Sequence, residues 1–134
     1  MAELFLEIIT PSKKIFGEKI KSVTIPGTNG SFQVLINHAP LMSTFEIGHL
    51  KIDTGEKLLI FATGGGTVEV LNNHVLVLAD SIEAPEKIDV DRAKEAKERA
   101  EKRLTDKEKS LDVLRAQAAL ARALNRLKIA EKYS

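Results

Sequence analysis

The sequence predicts an α+β protein, with an N-terminal antiparallel β-sandwich over residues 1–87 followed by a C-terminal two-helix hairpin over residues 88–134. Three observations carry that prediction. All eight glycines and all four prolines stand before residue 86, where turns between strands need them. The apolar residues of that stretch come in short runs at close spacing, the texture of a sandwich or barrel rather than of alternating strands and helices. From residue 86 onward Ala, Glu, Lys, Arg and Leu dominate with neither Gly nor Pro, a composition that only helix suits. At 134 residues with 43% hydrophobic content, the chain holds one real core, or a small domain with an appendage.

The strands follow in order. Leu4, Leu6 and Ile8 alternate with Glu3 and Glu7, imperfectly at Phe5 and Ile9, in a first strand from Glu3 to Thr10 that Pro11 stops. Lys19 to Ile25 ends at Pro26-Gly27, Ser31 to Ile36 at the turn from Asn37 to Pro40, and Leu50 to Asp53 at Thr54-Gly55. Lys57 to Thr63, Thr67 to Leu71 with Asn72-Asn73 as its turn, and His74 to Ala79 complete the set.

Asp89 is placed to cap a first helix running to about Leu104, and Thr105-Asp106-Lys107-Glu108 has the spacing of a capping box that restarts a second. The break holds no glycine, so the sequence admits either a hairpin or one straight helix. On the first helix Ala93, Ala96, Ala100 and Leu104 make a narrow seam flanked by Arg92, Arg99 and Arg103. On the second, Val113, Ala116, Leu120, Leu124 and Leu127 form the expected apolar face. A pair with so few large anchors is expected to dock only marginally.

Charge separates the two modules. Residues 1–87 carry 7 Lys/Arg against 10 Asp/Glu, whereas residues 88–134 carry 13 against 9, so a basic tail of +4 follows an acidic body of −3 within an overall charge of +1. That balance argues against general nucleic-acid binding. The absence of cysteine removes disulfides and thiolate metal sites. No run approaches the ~20 apolar residues of a membrane span, and Met1 to Thr10 lacks the charged-then-apolar layout of a signal peptide, so a soluble, non-secreted protein is expected.

Little in the sequence reads as catalysis. Gly64-Gly65-Gly66 runs on into Thr67-Val68-Glu69-Val70, without the Lys-Ser/Thr and helix of a phosphate loop, and reads instead as a tight turn or a close approach of strands. His38, His49 and His74 are scattered without metal-ligand spacing, and Ser31, Ser43 and Thr44 form no nucleophile elbow. The tail is more informative. Arg122 and Arg126 are one turn apart with no acidic residue three or four positions from either, whereas Arg115 has Asp112. Two such guanidinium forks suit phosphate or carboxylate. Asp89 and Arg92 lie within one turn of each other at the start of the first helix. A solvated surface accounts for all of these charges equally well.

These residues carry a resemblance. Ile88-Asp89-Val90-Asp91-Arg92-Ala93 resembles the I-D-x-x-R-A motif of bacterial F-type ATP synthase epsilon subunits, and Arg115 to Leu127 resembles their second helix. Asn37-His38-Ala39-Pro40-Leu41 resembles the family's H-x-P-L turn, and Gly64 to Val70 its G-G-x-x-E-V hairpin. The chain departs from the family locally, with Gly30-Ser31-Phe32-Gln33 where Gly-Glu-x-Gly is usual.

The resemblance implies a non-catalytic central-stalk subunit that couples ion translocation to ATP synthesis. Its sandwich would bind the gamma subunit and the c-ring, and its helices would regulate hydrolysis by the alpha/beta catalytic hexamer. It also implies peripheral association with the cytoplasmic face of a bacterial plasma membrane, no nucleic-acid partner, no required cofactor, and ATP as a regulatory ligand. Residue by residue, the implied ATP contacts are Glu83, Ile88, Asp89, Arg92 and Ala93, with Arg122 and Arg126 on the second helix. Opened into one rod of ~40 residues, the tail would reach ~60 Å at 1.5 Å per residue. The competing readings are a free-standing nucleotide-sensing or adaptor module, and a sandwich enzyme, for which no acid, base or metal constellation presents itself.

Overall fold

The computed structural model describes residues 3–105 and 113–133, and divides into two compact units, Met1–Glu83 and Ala84–Ser134. The first is the sandwich. Its strands are β1 (Leu4–Ile9), β2 (Lys14–Ile20), β3 (Ser22–Ile25), β4 (Phe32–Val34), β5 (Leu41–Asp53), β6 (Leu58–Leu71), β7 (His74–Ala79) and β8 (Ile82–Glu83). They are hydrogen-bonded in the order β2-β1-β7-β6-β5-β3-β4, with β8 against β6. The expected α+β class with an N-terminal sandwich is what the chain adopts. Within it β1 and β7 run parallel, Phe5 beside His74 through Ile9 beside Leu78, while the other neighbours are antiparallel.

Period-two burial builds the core. Leu4, Leu6 and Ile8 turn inward from β1, Val68 and Val70 from β6, and Val75, Val77 and Ala79 from β7, meeting Val23, Ile25, Val34, Phe45, Leu50 and Ile52. Eleven of its large side chains are essentially inaccessible to solvent, most of them β-branched, so this unit is anchored by residues that each contribute about 1.5–3 kcal/mol on burial.

Several strand boundaries differ from the sequence reading, each for a local reason. The single strand expected at Lys19 to Ile25 is divided between the end of β2, which begins already at Lys14, and β3, because the chain breaks at Lys21 and pairs first with β1 and then with β4 and β5. The strand expected at Leu50 to Asp53 begins at Leu41 and pairs along β6 from Leu41–Val70 to Asp53–Leu58. The runs on either side of the triple glycine are one strand. The glycines mark a change of partner, since β6 pairs with β7 over 66–71 and with β8 over 62–63. A Cβ at Gly66 would collide with the Leu78 carbonyl, and Gly65 has φ 101° with the Phe45 carbonyl 3.0 Å from where its Cβ would stand. Of the two roles weighed for these glycines, close approach of strands is the one they fill. The Asn72-Asn73 turn has φ of 50° and 62°, the left-handed pair of a two-residue hairpin.

The second unit opens with a single 3₁₀ turn, Pro85–Lys87, followed by α1 (Val90–Thr105) and α2 (Val113–Tyr133). Asp89 caps α1, accepting the Arg92 N–H at Oδ1 (3.1 Å) while its carbonyl accepts from Ala93 (3.0 Å). The expected capping box, Thr105 to Glu108, lies beyond its first residue outside the described residues. Thr105 itself closes α1, its hydroxyl donating to the Lys102 carbonyl at 2.8 Å.

The apolar face expected on α2 is corrected in one respect. Ala116, Ala123 and Ala130, seven residues apart, are buried together with Ile129, whereas Leu120 and Leu127 are half-buried and Val113 and Leu124 are exposed. On α1 the buried positions are Ala93 and Ala100, again seven apart. Methyl-only contacts let two helices approach closely, and large side chains at the same positions would hold them apart. No helix among the described residues is long and apolar enough to cross a membrane.

Candidate functional site

Six of the seven residues expected to form a site lie in the helical unit. Ile88 and Ala93 are buried, Asp89 and Arg92 exposed, all within the first turn of α1 or just before it. On α2, Arg122 is exposed and Arg126 half-buried. The seventh, Glu83, belongs to the sandwich unit, half-buried on β8 opposite Ala62.

Sequence distance from the turn relates the two helices. Arg92 stands thirteen positions before Thr105, the last residue of α1, and Arg126 thirteen positions after Val113, the first of α2. Each of these positions lies ~20 Å along its helix, at 1.5 Å per residue, from the end that adjoins residues 106–112. Arg122, one turn nearer the bend, falls on the same half. That end of the hairpin combines the N-terminus of α1, whose unpaired N–H groups and dipole favour anions, with three guanidinium-bearing positions. Asp89 already commits Oδ1 to the helix cap. Such an arrangement suits a ligand with several negative charges.

In the sandwich the structure brings together groups that sequence reasoning passed over. Glu7 accepts from Lys14 Nζ at 3.2 Å and lies 3.4 Å from His74 Nε2, while the His74 ring tilts against Phe5 at 5.3 Å between centroids. The hydrogen bond and charge of Lys14, helped by His74, hold the Glu7 carboxyl below its ordinary value, burial opposing only in part. The cluster follows from the parallel pairing of β1 with β7, which puts Phe5 beside His74 and Glu7 one rung further along. Only alternation along each strand hinted at it. His38 is occupied elsewhere, its Nδ1 2.6 Å from the Ala39 carbonyl. Among the described residues no group of three or more His, Asp or Glu is placed to hold a metal ion.

A β-sandwich with a buried core, followed by a pair of polar helices, defines a two-module α+β protein. Comparison with known proteins makes that class specific. Residues 3–85 match the family model for the ATP synthase delta/epsilon chain β-sandwich domain, and residues 86–131 match the model for the long α-helix domain of the same chains. The chain is 46% identical over 126 residues to the ATP synthase epsilon chain of Desulforamulus reducens, covering 94% of this chain and 96% of that one. It is 47% identical over 133 residues to that of Syntrophobacter fumaroxidans, covering 98% and 99%.

Among solved structures, a chain in the cryo-EM structure of the Euglena gracilis mitochondrial ATP synthase, OSCP/F1/c-ring, superposes with a TM-score of 0.80 at 20% identity, covering 93% of this chain and 79% of that one. A chain of the Tetrahymena thermophila mitochondrial ATP synthase central stalk/c-ring gives 0.63 at 16% identity, covering 96% and 94%. At these identities the likeness is one of fold. The chain belongs to the ATP synthase delta/epsilon chain family, on its epsilon side, and is a non-catalytic subunit of that rotary complex.

Proposed function

We propose that this chain is a central-stalk subunit of a bacterial ATP synthase, peripheral at the cytoplasmic face of the plasma membrane, whose sandwich holds the gamma subunit and the c-ring. Its helical unit, facing the alpha/beta hexamer, regulates hydrolysis by leaving and regaining the hairpin state, and ATP favours the hairpin. The observation that carries this reading is the alanine seam. α1 and α2 bury Ala93, Ala100, Ala116, Ala123 and Ala130 with a single large residue of α2, Ile129, while Leu114 and Leu124 remain exposed. Each alanine gives up little apolar area on separation. Undocking is therefore within reach of a partner or ligand, and the exposed leucines are available to another surface.

ATP suits the half of the hairpin that carries Asp89, Arg92, Arg122 and Arg126. The arginines would neutralise phosphates with forked hydrogen bonds, and Asp89, with the backbone near Ile88 and Ala93, would read ribose and adenine. A ligand that binds only the hairpin stabilises it by ~2.7 kcal/mol at ~100 times its dissociation constant, a shift of about a hundredfold between the two states.

Calorimetric titration of the full chain with ATP, together with a spin-label distance between α1 and α2, tests the switch. ATP should release heat and hold the helices together. Arg92→Ala and Arg126→Ala should each weaken binding, and Arg103→Ala, near the turn, should leave it unchanged. Absence of heat with unchanged separation would remove ATP from the function. Copurification of the tagged chain with the gamma subunit from membranes tests the stalk assignment separately.

A further inference from the structure

The outward side of β5, β6 and β7 forms a shallow groove of about 320 Å³. Strand register fixes what lines it. Met42 on β5 pairs with Glu69 on β6, which pairs with Leu76 on β7, and one rung along Thr44, Thr67 and Leu78 follow in the same order. Their neighbours Phe45, Val68, Val70, Val75 and Val77 point into the core, so these six share the outer face. Met42 is 75% exposed and Leu78 46%. Two apolar side chains this open on one face, with the half-buried Leu76 between them, mark a surface meant to be covered.

Glu69 lies in the middle of that surface, with Met42 and Leu76 on either side at the strand spacing of ~4.8 Å. It is exposed, and the ion pairs found among the described residues do not include it. The nearest acid in register is Glu7, beyond Leu76 on the same rung, and that carboxylate is engaged by Lys14 and His74. Lys14 and His74 are thus oriented toward Glu7. Thr44 is likewise turned aside, its hydroxyl 2.7 Å from that of Thr28. An apolar partner alone would cover Glu69 at the cost of stripping its water, which only an opposing charge offsets.

We infer that Glu69 selects the partner of this face by pairing with a lysine or arginine whose aliphatic stem lies across Met42, Leu76 and Leu78. Long basic side chains supply that combination of apolar stem and charged head. The inference rests on the proposed docking of the sandwich to the gamma subunit and assigns the basic residue to that subunit. The acidic balance of residues 1–87 favours such a partner.

The test measures binding of the full chain to purified gamma subunit at several salt concentrations. Glu69→Gln should weaken binding at low salt by about tenfold or more and flatten its salt dependence. Glu69→Asp should recover part of the affinity, Glu69→Lys should abolish binding, and Glu56→Gln, in the turn after β5, should change nothing. Melting temperatures of all four should match the parent within a few degrees. Equal binding of Glu69→Gln and the parent chain would overturn the inference while leaving gamma docking intact. Weakened binding with an unaltered salt dependence would also overturn it, because shape rather than charge would then be responsible. A parent chain that does not bind gamma at all would overturn the docking reading itself, and the inference with it.

Discussion

The two units differ in what holds them. The sandwich buries leucines, isoleucines and valines contributed by strands distant in sequence, and every rung of β6 has partners on both sides over 66–70. The hairpin buries alanines seven residues apart on two helices and leaves most of its leucines half-buried or exposed. Large interlocking side chains lose many contacts at once when separated, whereas methyl groups lose few. One chain thus combines a module anchored by large interlocking side chains with a helical module anchored mostly by methyl groups. The two modules differ less in which residues they expose than in how much large apolar side chain they bury.

Substitutions in the sandwich should show the largest effects. Leu6→Ala or Ile52→Ala, at fully buried positions, should each destabilise the sandwich by about 2–5 kcal/mol, seen as a lower urea midpoint followed by loss of β-sheet circular dichroism. If either variant instead lowered the helical signal first, the two units would share one cooperative core and the comparison would fail.

A change in the seam sharpens the contrast. Ala123→Leu adds bulk at a contact between close-packed helices and should cost the hairpin roughly 1–3 kcal/mol, with hydrogen exchange of α1 and α2 accelerated while that of β5 to β7 stays as before. Asp89→Ala removes the cap from α1 and should cost about 1 kcal/mol, detected as reduced helicity restored in part by Asp89→Asn.

The smallest effect belongs to the Glu7 cluster. Its carboxyl is held below the ordinary 4.5 by Lys14 and, less, by His74, so the stabilisation it provides is present above that value and is lost as pH falls through the lowered folded value. Glu7→Gln should remove this segment of the acid dependence, leaving stability near neutral pH only slightly lower, as expected of a surface ion pair. Denaturant melts at pH 7 and across the acid range would measure it.

Local chemistry made much of this legible in advance. Turn residues and alternation gave the sandwich, the switch to helix formers after Pro85 gave the helices, and Asp89 announced the start of α1 through its cap. The candidate residues on α1 and α2 were legible too, because one-turn spacing of Arg122 and Arg126 is a local fact. Other features depend on which segment becomes whose neighbour. The sequence marks this strand only from Leu50 to Asp53, yet pairing with β6 carries β5 back to Leu41. The triple glycine read equally as a turn or a crossing until the carbonyls of Leu78 and Phe45 occupied the space beside Gly66 and Gly65.

The sequence by itself determined the order of a strand-built and a helix-built module and the alternation of the first strand, since periodicity and propensity act over a few residues. Only tertiary structure decided that β1 runs parallel to β7, which gathers Glu7, Lys14 and His74. It alone decided that on α2 alanines rather than leucines fill the seam of the hairpin, and that Met42, Glu69 and Leu76, spread over 34 positions of chain, stand side by side on one rung. Pairing between distant segments is set by the packing of the whole core, a property that no short window of sequence contains.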